Sequence, residues 1–482
     1  MKKINKLFLH IVWVSISIQG SIRPPILKSP LEINPRKKNE SFIQNIEKTK
    51  KKTIPTSWGG SELTQEEKEE NGIKVTTYSL KGGAWILHDK VKLSSLSIEI
   101  IGEDAVHGFL KGGVKVEDTE SKSVLYAGKG VYDKYGEIVT LDERPQILTR
   151  GKNKEVTKVT SPYIRRYLAD SRSAMEKGVI LENKEYTILG ESAVMYEKED
   201  RVVMDDYPYI FGKNKFMSAT KMYYDSEKKD IVLENEAMIV QSSMEKKKKK
   251  PKEDKEENVE NNSTSSKDTK NSSTENSEEE DATVKVTSIF IGDKIISHSG
   301  SDLERYTGMF GNAKFIRPDN EFQAAYIKAF GKDNEKVEAR DGVTMTDFEN
   351  NVRLSGNLLE YDKPSDYAHV TEDAKIEFLS KETQDVNSTL TAVEIEKFSD
   401  KKEIVARGEV TITTEDSISK GEFATYFEEE EKIYLEGNPT LTRGGKTIQC
   451  GKIVVYPNEN KVYISEVVNT APGKEKFREF SP

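Results

Sequence analysis

The sequence predicts an all-β protein, an elongated stack of antiparallel β-hairpins. Three observations carry this prediction: a repeat of roughly thirty residues, period-two alternation within each repeat, and polar turns between the alternating segments. In each repeat an aromatic residue closes a strand, and apolar residues lie seven and nine positions beyond it. Pro, Ala or Val follows about thirteen positions beyond the aromatic. Repeats with this spacing begin at Tyr132, Tyr224, Phe330, Tyr361 and Tyr426.

Four further aromatic residues extend the series with small departures. Tyr196, Phe398 and Tyr456 fit when each offset is shortened by one residue. Tyr167 opens a degenerate repeat, because Glu176 occupies a position that is apolar elsewhere. A fixed period of this kind is typical of repeat architectures and rarely arises by chance.

Alternation assigns each repeat to one hairpin. Ile453 and Val455 share one strand face, and we assign Phe423 and Thr425 to the corresponding face of the preceding repeat. The segments 133–137, 225–230 and 457–461 have turn compositions. A lone hairpin is marginal in water, so neighbouring hairpins must stack to bury a shared face.

Composition limits the classes of function. Of the 482 residues, 33% are charged and only 35% are hydrophobic, which favours a thin, elongated fold over a thick core. The formal net charge is −9, whereas a nucleic-acid-binding protein is expected to be basic, so we predict no nucleic-acid partner.

The N-terminus resembles a secretory signal. A basic start precedes a short apolar run from Leu7 to Ile18, too short for a membrane span, so we assign residues 1–20 to a signal peptide. An uncleaved anchor in the inner membrane is the alternative. We assign residues 21–72, rich in Lys and Pro, to a flexible lead-in, and residues 469–482 to a flexible tail.

One internal tract interrupts the repeats. Residues 245–281 begin with a lysine run, continue with Asn, Ser and Thr, and end in acidic residues. Such a composition predicts a long disordered loop, which we place at a hairpin turn inside one continuous array. The array then has a first half, residues 73–244, and a second half, residues 282–468.

We find no catalytic or metal-binding motif and predict no enzymatic activity, no metal and no cofactor. The five histidines lack metal-ligand spacing, and Cys450, the only cysteine, is assigned to strand packing. We interpret Lys81-Gly82-Gly83 and Lys111-Gly112-Gly113 as turns. An acid pair assembled from distant strands, as in carbohydrate-active β-helices, remains open as an alternative.

Several strands resemble the OstA-like family, which includes the periplasmic lipopolysaccharide-transport proteins A and C and the periplasmic domain of the outer-membrane protein D. The resemblance lies in a small residue five positions before Tyr-Asp, a turn, and then the pattern apolar-x-Leu-x-Gly-x-Pro/Val. It covers roughly residues 73–468 without the loop. The segments that carry it are 126–133, 217–225, 231–239, 419–426 and 433–441.

The resemblance implies a β-jellyroll folded into a V, with acyl chains between its sheets. It implies lipopolysaccharide or a related lipid as ligand, a periplasmic location, and a bridge between membranes built with other jellyroll transport proteins by edge-strand pairing. The expected edges are Val75–Leu80 at one end, and Ile453–Tyr456 with Val462–Ile464 at the other. An extracellular structural or adhesive β-repeat protein is the alternative. The candidate lipid-groove residues are Tyr132, Tyr196, Tyr224, Phe330, Tyr361, Phe398, Phe423, Tyr426, Ile453 and Tyr456.

Overall fold

The computed structural model describes residues 54–70, 73–102, 104–121, 123–150, 155–246, 283–301, 304–459, 461–467 and 478–480. The predicted signal peptide, most of the predicted loop and most of the predicted tail lie outside these residues. Every element described below belongs to the compact unit Pro55–Pro482. No helix within the described ranges has the length and apolarity needed to cross a bilayer.

Nearly all regular structure in these ranges is extended. The first strands are β1 Thr56–Gly59, β2 Glu62–Glu70, β3 Ile73–His88, β4 Val91–Ile101, β5 His107–Asp118, β6 Ser123–Asp133, β7 Ile138–Asp142, β8 Gln146–Arg150, β9 Val156–Thr160, β10 Tyr163–Tyr167, β11 Arg172–Glu182, β12 Tyr186–Tyr196, β13 Arg201–Asp205, β14 Tyr209–Gly212, β15 Lys215–Ser218, β16 Lys221–Asp225 and β17 Asp230–Lys246. A short 3-10 helix, Glu197–Glu199, lies between β12 and β13.

The remaining strands continue the same pattern. They are β18 Thr283–His298, β19 Tyr306–Ile316, β20 Asn320–Phe330, β21 Lys336–Asp347, β22 Val352–Asp362, β23 Tyr367–Leu379, β24 Val386–Phe398, β25 Glu403–Thr413, β26 Ser417–Phe427, β27 Lys432–Glu436, β28 Thr440–Arg443, β29 Lys446–Tyr456, β30 Lys461–Val467 and β31 Arg478–Phe480. All described strands belong to one antiparallel sheet of successive hairpins. The predicted all-β hairpin array is confirmed.

Every second strand contains two consecutive residues with positive φ. At Gly112 and Gly113 the φ angles are 81° and 84°, and the pairing of β5 with β6 shifts between Lys111 and Val114. Two residues of β5 thus oppose one residue of β6, which defines a β-bulge that bends the strand. The pairs recur about every thirty residues and are Gly82-Gly83, Gly112-Gly113, Glu143-Arg144, Lys177-Gly178, Asp206-Tyr207, Asn235-Glu236, Gly311-Asn312, Asp341-Gly342, Glu372-Asp373, Gly408-Glu409 and Gly437-Asn438.

The bulges explain the last position of the sequence repeat. The Pro, Ala or Val about thirteen residues after the aromatic is the first residue beyond the bulge. Where this residue is Pro145, Pro208 or Pro439, the strand divides into two elements, β7/β8, β13/β14 and β27/β28. Proline has no N–H to donate to the ladder, so the ladder breaks there. Where it is Ala237 or Val343, the strand continues.

The interpretation of Lys81-Gly82-Gly83 and Lys111-Gly112-Gly113 as turns is wrong. Both segments lie inside long strands, β3 and β5. Glycine serves here because the left-handed backbone region is open to it at no steric cost, and a bulge uses that region as a turn does. Composition alone did not distinguish a bend within a strand from a reversal between strands.

The bends bring opposite ends of the strands together. Tyr132 lies near the end of β6, whereas pairing from β3 through β4 and β5 places His88 beside the start of β6. In a flat sheet these ends would be roughly 30 Å apart, since a strand rises about 3.3 Å per residue. The Tyr132 hydroxyl nevertheless lies 2.7 Å from Nδ1 of His88. The sheet therefore folds back on itself along the line of bulges and closes into a β-jellyroll.

Two boundaries of the hairpin array differ from the prediction: its first strand and the start of the internal loop. β1 and β2 fall within the predicted flexible lead-in, and both pair with β3, so that assignment is wrong for the described residues 56–70. β17 and β18 pair without interruption from Ala237 to Lys246 and join the two predicted halves into one sheet. Glu245, assigned to the disordered loop, lies in β17, where it binds Arg317 and Lys363. Residues 247–282 lie outside the described residues.

The predicted edges are also displaced. Val75–Leu80 lies inside β3, between β2 and β4. Ile453–Tyr456 lies in β29 between β27 and β30, and Val462–Ile464 of β30 pairs with β31. Each predicted edge gained a neighbour because polar segments, which we had assigned to the flexible ends, extend the ladder through backbone hydrogen bonds. β1 and β2 form the N-terminal edge among the described residues.

Glycine is favoured in the bulges because of the positive φ angle and not because a side chain would clash. A substitution at Gly113 tests this explanation. A Cβ atom at Gly113 would meet nothing within 4 Å. We expect Gly113→Val to lower the free energy of unfolding by about 1–3 kcal/mol, because a β-branched residue is strained at positive φ. Gly113→Asn should cost less than about 1 kcal/mol, since Asn tolerates this region. Urea unfolding measures both, and equal losses would contradict the conformational explanation.

Candidate functional site

The interior of the jellyroll is one continuous apolar surface. A single cluster of buried apolar side chains extends from Leu80 on β3 to Ile464 on β30. In strands without a bulge the buried positions change parity at the centre: in β26 they are Ser417 and Ser419 before the bend, and Ala424 and Tyr426 after it. A bulged strand keeps one parity, as in β25, where Ile404, Ala406, Val410 and Ile412 are buried. The bend keeps both halves of the strand facing the same interior.

Five of the ten groove candidates lie in this interior. Tyr132, Tyr224, Tyr361, Tyr426 and Ile453 are all buried. Three of the hydroxyls have partners: Tyr132 pairs with His88, Tyr224 accepts a hydrogen bond from Asn183 at 2.8 Å, and Tyr361 donates to Asp366 at 3.1 Å. Burial raises the pKa of all four tyrosines, so these phenols stay neutral.

Four candidates lie on the other face of the sheet. Tyr196, Phe330, Phe398 and Tyr456 are partly exposed. A cation covers each ring, for example Arg201 at 4.9 Å from Tyr196 and Lys401 at 4.9 Å from Phe398. These contacts stabilise an outer surface, so the structure does not bring these four residues to the interior.

A sequence signal for this difference was available at three of these four residues, but not at Phe330, whose offsets are regular. At Tyr196, Phe398 and Tyr456 the offsets are one residue short, so the residue before each aromatic has the regular spacing. Those preceding residues, Met195, Lys397 and Val455, are the buried ones. In a strand adjacent side chains point to opposite faces, so an offset changed by one residue indicates the opposite face.

Phe423 lies on the outer face, where half of its surface is exposed. We grouped it with Thr425 on an inward face by assuming uninterrupted alternation. Thr425 is less buried than its neighbours Ala424 and Tyr426, which face the interior. The assignment is wrong because the buried positions of β26 are odd-numbered before the bend and even-numbered after it.

The two sets of strand ends meet along a line that we call the seam, opposite the line of bulges. Polar side chains close the seam at intervals along the array. Sequence reasoning missed these residues because their partners are distant in the chain. The contacts that define the seam are His88–Tyr132, Ser121–Glu197, Asn183–Tyr224, Tyr186–Ser299, Gln241–Lys332, Glu245–Lys363, Asp347–Lys397 and Lys381–Glu431.

Two parts of the seam are buried ion clusters. In the Arg166 cluster, the guanidinium binds Asp118 at 2.9 Å and also binds Glu197, and its side chain is 1% exposed. In the Lys397 cluster, the ammonium lies 2.9 Å from Asp347 and also binds Glu428. Fully paired charges of this kind tolerate burial, whereas removing one partner leaves an uncompensated charge.

The electrostatics of the seam favour the charged, paired state. Burial alone would raise the pKa of Asp347, but the charge and hydrogen bond of Lys397 outweigh it and hold that pKa below its ordinary value. Burial likewise opposes ionisation of Glu245, yet hydrogen bonds from Arg317 and Lys363 lower its pKa to about 2. Asp347 and Glu245 thus remain ionised near neutral pH. At Glu197 burial outweighs the charge of Arg166 and raises the pKa of the carboxyl.

The interior and the seam offer no recognised catalytic arrangement in the described part of the chain. Cys450 is buried, its Sγ lies 3.6 Å from the Pro439 carbonyl, and burial raises the pKa of its thiol. Among the described residues, no three His, Cys, Asp or Glu side chains are grouped so as to hold a metal ion.

Fold and site together define a closed antiparallel β-jellyroll with an apolar interior. No protein-family model and no curated protein matches the chain. Fifteen chains of solved structures match it. One is LptH, the LptA-homologous periplasmic component of the lipopolysaccharide transport device of Pseudomonas aeruginosa, with 20% identity. That match covers 23% of this chain and 79% of LptH at a TM-score of 0.21, which is too low to support a conclusion about this chain.

The Lys397 cluster gives a test of the seam. We expect Lys397→Met to lower the free energy of unfolding by about 3–5 kcal/mol at neutral pH, because Asp347 and Glu428 then face each other without a cation. The lowered pKa of Asp347 means that its stabilising contribution is present above its unfolded pKa and is lost as pH falls. The difference between wild type and variant should therefore shrink below about pH 4.

Lys402→Met is the matched control for this variant. Lys402 binds Glu429 at the surface, and its side chain is 38% exposed. An exposed pair contributes at most about 1 kcal/mol, so this substitution should change stability little at any pH. Urea unfolding between pH 3 and pH 7 measures both. A similar loss for the two variants would show that the Lys397 cluster does not hold the seam.

Proposed function

We propose that this protein carries a lipid with several acyl chains, of the lipopolysaccharide class, inside the jellyroll. The observation that carries the proposal is the unbroken apolar interior from β3 to β30, closed by polar, non-covalent contacts. Each buried methylene contributes roughly 0.8 kcal/mol, so an acyl chain of about twelve carbons loses on the order of 8–10 kcal/mol on exposure to water. Such a lipid needs a continuous shield to cross an aqueous space.

The repeated geometry supports movement of the lipid along the interior rather than tight binding at one site. Successive strands present equivalent apolar positions, such as Tyr361 on β22 and Tyr426 on β26, so successive sites have similar energies. A lipid can then advance along the interior without meeting a deep trap. Transport of this kind needs no bond-making step, and we propose that the protein is not an enzyme. The signal-like residues 1–20 support a periplasmic location, with an inner-membrane anchor as the variant of that location.

Site-specific photo-crosslinking on β26 tests the proposal. The photoreactive amino acid benzoylphenylalanine at Tyr426, which faces the interior, should form an adduct with labelled lipopolysaccharide. The same group at Phe423, three residues earlier on the outer face, is the matched control and should form little or none. Equal labelling at both positions, or none at either, would contradict transport through the interior and would favour a structural or adhesive role.

We further propose that another jellyroll transport protein adds its edge strand beside β2. This strand pairs with β3 on one side and with no other strand in the described residues. An open edge is a template for strand addition unless charge protects it. β2 carries five glutamates and one lysine, which selects a partner whose edge is basic.

Adjacent proline substitutions in β2 test this pairing. In an edge strand, successive N–H groups point alternately into the sheet and away from it. One of Thr64→Pro and Gln65→Pro should therefore weaken pairing with β3, whereas the other removes only an outward donor. We expect the variant that removes only an outward donor to keep the wild-type unfolding midpoint. The same variant should lose its crosslinks to jellyroll proteins of the cell envelope. If both variants keep those crosslinks while folded, β2 is not the docking edge.

A further inference from the structure

One stretch of the seam lacks ion pairs across it. Between the Arg166 cluster and the contacts of Glu245, neutral hydrogen bonds close the seam. Asn183 donates to the Tyr224 hydroxyl at 2.8 Å, the Tyr186 and Ser299 hydroxyls are 2.8 Å apart, and Gln241 donates to the Lys332 carbonyl at 3.2 Å. Each contributes only about 1 kcal/mol, so this is the most easily opened stretch of those described.

A cavity of about 570 Å³ lies in this stretch, and we call it the seam cavity. Its walls are the ends of β12, β14, β15 and β17 on one side, and the turns before β19 and β21 on the other. The volume is within the range of small-molecule sites. Two carboxylates, Glu185 and Asp333, line the cavity. They are outnumbered by five cationic side chains, Lys184, Lys213, Lys215, Arg305 and Lys332.

Lys215 distinguishes this cavity from a solvated basic surface. Its side chain is half-buried at the start of β15, and its ammonium donates to the Ser297 hydroxyl at 3.4 Å. No carboxylate of the described residues lies within ion-pair distance of it, unlike Arg166 and Lys397 in the ion clusters. Burial, followed by the charge of Arg305, lowers the pKa of Lys215 to about 8. A desolvated ammonium without a counter-ion is stabilised when an anion arrives.

We propose that the seam cavity binds a phosphate group, and that the phosphate belongs to the headgroup of the carried lipid, whose chains occupy the adjoining interior. The lipid part of this inference rests on the proposed function, whereas the anion site stands on its own geometry. A phosphate monoester has nearly two negative charges and three acceptor oxygens, so it can bind several ammonium and guanidinium groups at once. A carboxylate has one negative charge and two acceptor oxygens, so it would contact fewer of these groups.

The position of the cavity gives the phosphate a function. The headgroup of an acylated lipid is polar and cannot follow its chains into the apolar interior. A cationic cavity in the seam lets the headgroup remain at the water boundary while the chains lie inside. The same stretch, closed only by neutral hydrogen bonds, is then the place where lipid enters or leaves the jellyroll sideways.

Lys215→Gln tests the site, with Lys129→Gln as the matched control. Lys129 is about half exposed and binds Glu143 beside a bulge, on the opposite side from the seam. Binding is measured by titration calorimetry with full-length protein and three probes: lipopolysaccharide, the same lipid after chemical removal of its phosphates, and inorganic phosphate. We expect Lys215→Gln to weaken binding of the phosphorylated lipid about tenfold or more and to leave binding of the dephosphorylated lipid unchanged. Lys129→Gln should bind all probes as wild type does.

The probes separate the two proposals. Wild-type binding of both lipids with no effect of Lys215→Gln would overturn the phosphate site and leave lipid transport intact. Wild-type binding of inorganic phosphate that depends on Lys215, without binding of either lipid, would support the anion site and overturn lipid transport. An equal loss for both lipids would show that Lys215 shapes the interior and would overturn the phosphate contact. The thermal unfolding midpoint of Lys215→Gln should equal or exceed that of wild type, because the substitution removes an uncompensated charge.

Discussion

The positive φ angles at two successive residues of every second strand are the constraint on which the rest of this structure depends. A bulged strand such as β25 keeps its buried positions at even-numbered residues through the bend, whereas its unbulged partner β26 changes from odd to even. The bulge shifts the register by one residue and bends the strand, so both halves face one interior. Gly, Asn and Asp fill most of these positions, but Arg144, Tyr207 and Glu236 also occupy them. Backbone strain at such residues is of order 1–3 kcal/mol each, and apolar burial on both sides of the bend offsets it.

The bend divides the molecule into two regions with different chemistry. The interior is apolar and held by contacts that water cannot replace, whereas the seam is polar and held by contacts that water can replace. Hydrogen bonds of the seam exchange for hydrogen bonds to water at a small net cost, but the sheet ladder and the buried ion clusters resist opening. The molecule can therefore open locally between its ion clusters while the backbone ladder stays intact. The neutral stretch from Asn183 to Gln241 is the part where this difference is largest among the described residues.

Sequence periodicity was sufficient for the fold class and for the hairpin repeat, because period-two alternation and turn composition are local properties. The turns after Tyr132, Tyr224 and Tyr456 lie where composition placed them. The face of each side chain was harder to predict, since buried positions change parity at the bend of an unbulged strand, as Phe423 on β26 shows. The offsets at Tyr196, Phe398 and Tyr456 are shortened by one residue, and this difference would have placed these aromatics on the outer face of the sheet. The seam was beyond sequence reasoning, because Arg166 on β10 meets Asp118 on β5 only after the sheet has folded back, with four strands between them in the sequence. Strands β1 and β2 were missed because the polar and charged residues of 21–72 favour a flexible segment by composition, whereas a neighbouring edge can order them through the backbone alone.

The regular bulge also has a consequence for how such a chain changes length during evolution. Each unit of about thirty residues contains one bent strand and one partner, and its contacts reach mainly the units on either side. Duplication or loss of one unit therefore preserves the register of both faces and the closure of the two sheet ends. Because neighbouring strands lie about 4.8 Å apart, each added unit would extend the enclosed interior by roughly 10 Å. Gene duplication can thus change the length of the enclosed interior in fixed steps without redesign of its core. The number of units therefore sets the length of the protein.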